Sequence, residues 1–131
     1  MIIVDTSVWI DYFGDHDTPQ VRWLEHEMGR RNLGITDLAL CEILQGIRHQ
    51  DDYILTRDAL LKYEIFPAGG VDLAITSAYN CRWLRAKGHT IRTTIDCMIA
   101  TFCIVNNMPL LHDDRDFDPF EQHLGLQVVH P

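Results

Sequence analysis

Two rhythms of apolar and polar positions run along the chain. Ile2, Ile3 and Val4 form an unbroken apolar run, the pattern of a strand buried on both faces of a parallel sheet. It stops at Asp5-Thr6-Ser7, after which Val8, Trp9, Ile10 and Phe13 follow a helical spacing. Gly14-Asp15-His16-Asp17 reads as a loop. Thr18 before Pro19 reads as an N-cap with proline at the first helical position, and Val21, Leu24 and Met28 recur at intervals of three and four. A second strand is expected at 33–36. Thr36 can then cap a helix that carries Leu40, Ile43, Leu44 and Ile47 on one stripe. A further helix begins at Asp51, with Ile54, Leu55 and Leu61. A third strand at 64–66 is stopped by Pro67 and Gly69-Gly70. The longest amphipathic segment, 72–87, carries Leu73, Ile75, Tyr79, Trp83 and Leu84 and ends at Gly88. Thr94 caps an apolar helix with Ile95, Ile99, Ala100, Cys103 and Ile104. A fourth strand is expected at 109–111, an acidic loop at 113–118 and a fifth strand at 126–129.

Strands that alternate with helices call for a parallel sheet covered by helices, and right-handed crossovers restrict its topology. Five short strands and about six helices predict one α/β domain over 1–131, a three-layer α/β/α sandwich. In such sheets, sites form beyond the carboxyl ends of the strands, where strand order reverses.

Composition changes this picture little. Apolar residues are 47% and charged residues 23% of 131, as in ordinary globular chains. No apolar run approaches the roughly 18 residues of a membrane span, and the amino terminus meets Asp5 without a basic stretch, unlike a signal peptide. A soluble cytoplasmic protein is expected. Cys41, Cys81, Cys97 and Cys103 form no CxxC pair and read as small core residues rather than disulfides or zinc ligands.

Charge changes it more. A net charge of −8 argues against a broad basic face for nucleic acid, unless carboxylates hold divalent cations that supply the positive charge. The positions of the acids favour that alternative. Asp5 follows the first strand, and Asp113, Asp114 and Asp116 follow the fourth. Asp96 lies in the first turn of its helix, where the dipole favours a carboxylate. Glu42 sits at the border of the stripe containing Ile43 and Leu44. If the first and fourth strands flank the reversal, these acids share one crevice. Oxygen donors without a histidine or cysteine pair favour Mg²⁺ or Mn²⁺ over zinc. His112 beside the acidic loop reads as structural, and Trp9, Trp23 and Trp83 as packing residues. Arg82, Arg85, Lys87 and Arg92 form the only local basic stretch, either a solvated helix end or a rim that contacts phosphate.

Four segments then make the chain resemble a known family. They are Met1-Ile2-Ile3-Val4-Asp5-Thr6-Ser7-Val8-Trp9-Ile10, Leu40-Cys41-Glu42-Ile43-Leu44-Gln45-Gly46, Thr94-Ile95-Asp96-Cys97-Met98-Ile99-Ala100 and Leu110-Leu111-His112-Asp113-Asp114-Arg115-Asp116-Phe117. In this order and at these separations they resemble PIN-domain ribonucleases, specifically the toxins of VapBC-type toxin–antitoxin pairs. The resemblance covers nearly the whole chain. It implies strand order 3-2-1-4-5 and a Mg²⁺- or Mn²⁺-dependent endoribonuclease. Its catalytic acids would be Asp5, Glu42, Asp96, Asp114 and Asp116, with Asp5, Asp96 and Asp114 on the metal and Ser7 in support. Glu42 would orient or deprotonate the attacking water. A small antitoxin placing a basic residue among the acids, an RNA substrate and a homodimer are the implied partners, with no membrane. Two rival readings are a nuclease acting on structured DNA and a non-catalytic PIN-like or receiver-like binding module. The first lacks any added DNA-binding segment. The second is disfavoured because no acid is missing and no lysine follows the fourth strand.

Overall fold

A computed structural model describes residues 1–131. Its centre is a parallel sheet of four strands, β1 (Ile2–Val4), β2 (Leu33–Thr36), β3 (Glu64–Phe66) and β4 (Leu110–Leu111), in the order β3-β2-β1-β4. Ile2 stands opposite Leu33, Ile3 opposite Leu110 and Gly34 opposite Glu64. β1 is buried throughout, which accounts for its unbroken apolar run. The chain goes from β1 to β2 on one side and returns to β4 on the other, so β1 and β4 flank the reversal of strand order.

The fifth strand expected at 126–129 contracts to one parallel bridge between Leu110 and Val128. Two backbone bonds hold it, from Leu110 N to Gln127 O at 2.9 Å and from Val129 N to Leu110 O at 3.0 Å. β4 has only two residues and offers no longer ladder. The segment still lies beside β4, where the expected order places it.

The helices are α1 (Thr6–Phe13), α2 (Pro19–Glu27), α3 (Asp37–Gln45), α4 (Gln50–Leu60), α5 (Val71–Ala86), α6 (Thr94–Val105) and α7 (Asp118–Leu124), with a 3₁₀ turn at Arg115–Phe117. They flank the sheet in two groups. α1 packs against α2 and α3, and α5 packs against α6 and α7. One core joins them, with Trp9, Phe117, Phe120, Leu24 and Leu84 among its fully buried side chains. Gly34 is required by close packing, because a Cβ there would lie 2.7 Å from the Phe66 ring.

Four local expectations change. Beyond the acidic loop expected at 113–118, Asp118–Leu124 forms a seventh helix, with Pro119 in its first turn and Phe120 buried in the core. α6 is capped by Thr93 rather than Thr94, since the Thr93 hydroxyl accepts from Asp96 N. On α4 the buried side chains are Thr56 and Leu60, while Ile54, Leu55 and the following Leu61 are exposed. The cysteines are not four core thiols. Cys103 is buried and Cys41 is exposed, while Cys81 and Cys97 form a disulfide between α5 and α6. Their sequence separation of 16 puts them on different helices, a proximity that only packing creates. No helix is long and apolar enough to cross a membrane.

Candidate functional site

The carboxyl ends of β1 and β4 each deliver acids within one or a few residues. Asp5 leaves β1 in an extended conformation and caps α1. Its Oδ2 accepts from Ser7 N at 3.0 Å and from Ser7 Oγ at 2.7 Å. The same Ser7 oxygen accepts from Asp113 N at 3.0 Å. One hydroxyl therefore ties the end of β1 to the loop after β4. Asp113 contributes its backbone to this link and turns its side chain to solvent.

Asp114 caps the 3₁₀ turn, its Oδ1 accepting from Asp116 N at 2.9 Å. Its own N–H donates to His112 Nδ1 at 3.1 Å. That bond makes Nδ1 the acceptor and leaves His112 as a buried support beneath the loop, its ring tilted against Phe117. Asp96 sits in the first turn of α6, held there by the Thr93 cap. Oxygens of Asp96, Asp114 and Asp116 all lie within 4.8 Å of one another.

Asp5 falls outside that close trio, but it is almost wholly buried and feels the charges of Asp96 and Glu42. Glu42, on α3, is fixed from across the sequence, with Thr6 Oγ1 donating to its Oε1 at 2.9 Å. The opposite carboxylate oxygen, Oε2, remains free. Ser7, Asp5, Glu42, Asp96, Asp114 and Asp116 thus gather at one end of the sheet. The contact with Thr6 was not legible in the sequence, and the cap on Asp96 lies at Thr93, one residue before the expected Thr94. The Thr6–Glu42 pair spans 36 positions, and nothing local marks it.

Electrostatics make this cluster costly when empty of cations. Burial pushes the Asp5 carboxyl up to about 7, against the opposing hydrogen bonds from Ser7. Burial also raises Asp96, opposed by its bond to the Thr93 segment, and the nearby charges of Asp114, Glu42 and Asp116 raise it further. Arg92 offsets part of this, its Nε donating to Asp116 Oδ2 at 3.0 Å. Asp5 Oδ1 is buried with no hydrogen-bond partner. A buried carboxylate oxygen without a donor, beside three converging carboxylates with no histidine or cysteine among them, fits a hard divalent cation bound by oxygen.

Comparison with known proteins identifies the family. The profile of the PIN domain matches residues 2–121. A VapC ribonuclease of Mycobacterium bovis and ribonuclease VapC11 of Mycobacterium tuberculosis are each 34% identical to the chain over 135 aligned positions, covering 98% of both partners. Among solved structures, VapBC2 from Rickettsia felis, bound to a DNA fragment from its promoter, superposes with a TM-score of 0.75 at 18% identity, over 98% of each chain. A toxin–antitoxin complex from Klebsiella pneumoniae gives 0.73 at 20% identity, covering 100% of this chain and 98% of that one. Mycobacterium tuberculosis VapC20, described as a toxin that cleaves the sarcin–ricin loop, gives 0.72 at 14% identity over the full length of both.

Proposed function

The chain belongs to the VapC-type PIN-domain ribonucleases, and from that premise we propose that it hydrolyses RNA phosphodiester bonds at the acid cluster with Mg²⁺ or Mn²⁺ as cofactor. The observation that carries the proposal is the convergence of Asp96, Asp114 and Asp116 within 4.8 Å beside the buried, half-partnered Asp5. Asp96, Asp114 and Asp116 would hold the cation, and Asp5 would complete the set through its free Oδ1. When bound, the cation neutralises charge developing on the phosphate and acidifies water.

The chain's own residues then have separate tasks. Ser7 fixes Asp5 and keeps the β1 and β4 ends in register. Thr6 holds Glu42 by Oε1, so Oε2 is the atom available to orient water and accept its proton. Arg92 neutralises Asp116 and keeps it from repelling the substrate phosphate. Attack by water leaves a 5′-phosphate and a 3′-hydroxyl and makes no use of the ribose 2′-hydroxyl as nucleophile.

As the toxin of such a pair, the protein would be restrained by a small antitoxin. A cavity of about 700 Å³ between α1, α3 and α4 is lined by Ile10, Phe13, Ile43 and Leu55, and Glu42 forms part of its wall. An amphipathic segment seated there would have a short path for an arginine to reach the carboxylates, whose paired oxygens match its planar fork. The exposed stripe Val71, Ile75 and Tyr79 on α5 suits a homodimer contact. A toxin that acts on cellular RNA would work in the cytoplasm.

The test is to incubate purified protein and Mg²⁺ with total cellular RNA and with DNA of matched sequence, and to map the ends. Cuts in RNA alone, bearing 5′-phosphates, are expected. Cuts confined to DNA, or ends bearing a 2′,3′-cyclic phosphate, would overturn the reading.

A further inference from the structure

The acid cluster leaves one concentration of positive charge unused. Between α5 and α6 lies a cleft of about 300 Å³, whose lining includes Arg82 and Arg85 from α5 and Arg92, Thr93 and Thr94 at the start of α6. The whole chain has 11 lysines and arginines against 19 acids, so three arginines on one small cleft stand apart from the rest of the surface. Arg82 and Arg85 are three positions apart on a helix, neighbours that repel each other. Both are exposed, and neither forms an ion pair.

The cleft adjoins the acids through two contacts. Arg92 binds Asp116 through Nε alone, which leaves its terminal amino groups free. Thr93, which caps Asp96, stands on the cleft wall. The Cys81–Cys97 disulfide also lines the cleft and joins the two helices that form its sides. Ile91 and Met98, both half-buried, give it an apolar lining between the charges.

We propose that this cleft carries the substrate RNA backbone, with Arg92 on the phosphate next to the scissile one and Arg82 and Arg85 on phosphates farther out. The inference rests on the ribonuclease reading and extends it from the reaction centre to the substrate track. Guanidinium groups pair phosphate oxygens in a fork, and a chain that threads past both zones meets carboxylates only at the point of cleavage. An acidic peptide would gain from the arginines as well, but it would bring carboxylates toward the acid cluster without delivering a phosphate to it.

The test uses fluorescence anisotropy with a labelled single-stranded RNA, in Mg²⁺ and over a range of salt concentrations. It compares the Asp96→Asn protein with and without the added pair Arg82→Ala and Arg85→Ala. Loss of two phosphate contacts should weaken binding about tenfold or more at low salt and lower the slope of log affinity against log salt by about 1.4, at roughly 0.7 per contact. Arg82→Lys with Arg85→Lys should restore the slope, because the charge is kept. With Asp96 intact, the alanine pair should raise KM for a long RNA about tenfold, leave kcat within about twofold, and leave cleavage of a dinucleotide unchanged, since so short a substrate has no outer phosphates. Lys62→Ala, which removes a charge before β3 at the far end of the sheet, should change none of these.

An unchanged salt slope and KM in the alanine pair would overturn the proposal, as would an equal loss on the dinucleotide. If the parent protein cut no RNA at all, the ribonuclease reading would fail. The binding slope would still decide the cleft: its fall would support an RNA track and its persistence would refute one.

Discussion

At the scale of single residues, Asp5 links stability to pH across the neutral range. Its folded carboxyl titrates near 7 and its unfolded one near 3.8. The folded protein therefore holds a proton that the unfolded chain releases. Between those values stability falls as pH rises, by up to the order of 4 kcal/mol. The cation-free protein should have a lower Tm at about pH 8 than at about pH 5. Mg²⁺ favours the ionised carboxylate, so it should raise Tm more at the higher pH. Asp5→Asn should raise the cation-free Tm at neutral pH and remove the pH dependence of the Mg²⁺ response between about pH 5 and 8. A Tm that rises with pH over this interval, or an unchanged pH dependence of the Mg²⁺ response after the substitution, would contradict the assignment. Glu42 makes a kinetic prediction. Glu42→Gln removes the proton acceptor at Oε2 and should lower kcat by about 10²–10⁴ with little change in KM. Thr6→Val frees the Glu42 side chain and should lower kcat by a smaller factor, measured on the same RNA.

At the scale of elements, the long-range order of strands and helices was readable because each carries its own pattern. β1 is an unbroken apolar run, α2 opens on Thr18-Pro19, and α5 gives way to Gly88 just past its end. The acids at strand ends were readable for the same reason, since a parallel sheet sends its carboxyl ends to one rim. What could not be read depends on partners far away in sequence. The strand at 126–129 looked independent, yet its length is limited by the two residues of β4. Leu55 looks like a core residue by type, yet α4 turns it outward. The four cysteines looked alike, and only the packing of α5 on α6 separates the bonded pair from Cys41 and Cys103. That pairing makes its own prediction. The bond closes a loop across 16 positions, for which a loss of about 3 kcal/mol on reduction is expected. Dithiothreitol should lower the Tm of the wild type but not that of Cys81→Ala with Cys97→Ala. Equal shifts in both proteins would show that the bond contributes no stability.

At the scale of the whole molecule, the acids, the arginine cleft and the apolar groove divide the surface into three parts that meet around the rim of the sheet. The groove and the acids share Glu42, and the cleft and the acids share Arg92. On the proposed reading, an antitoxin and an RNA would approach the same carboxylates from different sides and compete at the centre. Leu55, 70% exposed on the groove, separates restraint from catalysis. Leu55→Asp should weaken the antitoxin complex by about 2 kcal/mol or more, read by titration of the purified pair, while the free enzyme cuts RNA at its usual rate. Unchanged affinity would move the antitoxin to another face.

The net charge of −8 acquires a physical sense on this account: carboxylates are concentrated where a cation reverses their effect on a polyanion. The central claim is that this cluster works only with a divalent ion on Asp96 and its neighbours. It is tested most directly by the initial rate of cleavage of one labelled RNA as Mn²⁺ is titrated, for the wild type and for Asp96→Asn, both shown to be folded by circular dichroism. The account predicts no cleavage in chelator, a saturable rise with Mn²⁺ for the wild type, and a flat line for Asp96→Asn across the same range. Cleavage in chelator, or an Asp96→Asn curve that overlays the wild type, would contradict it.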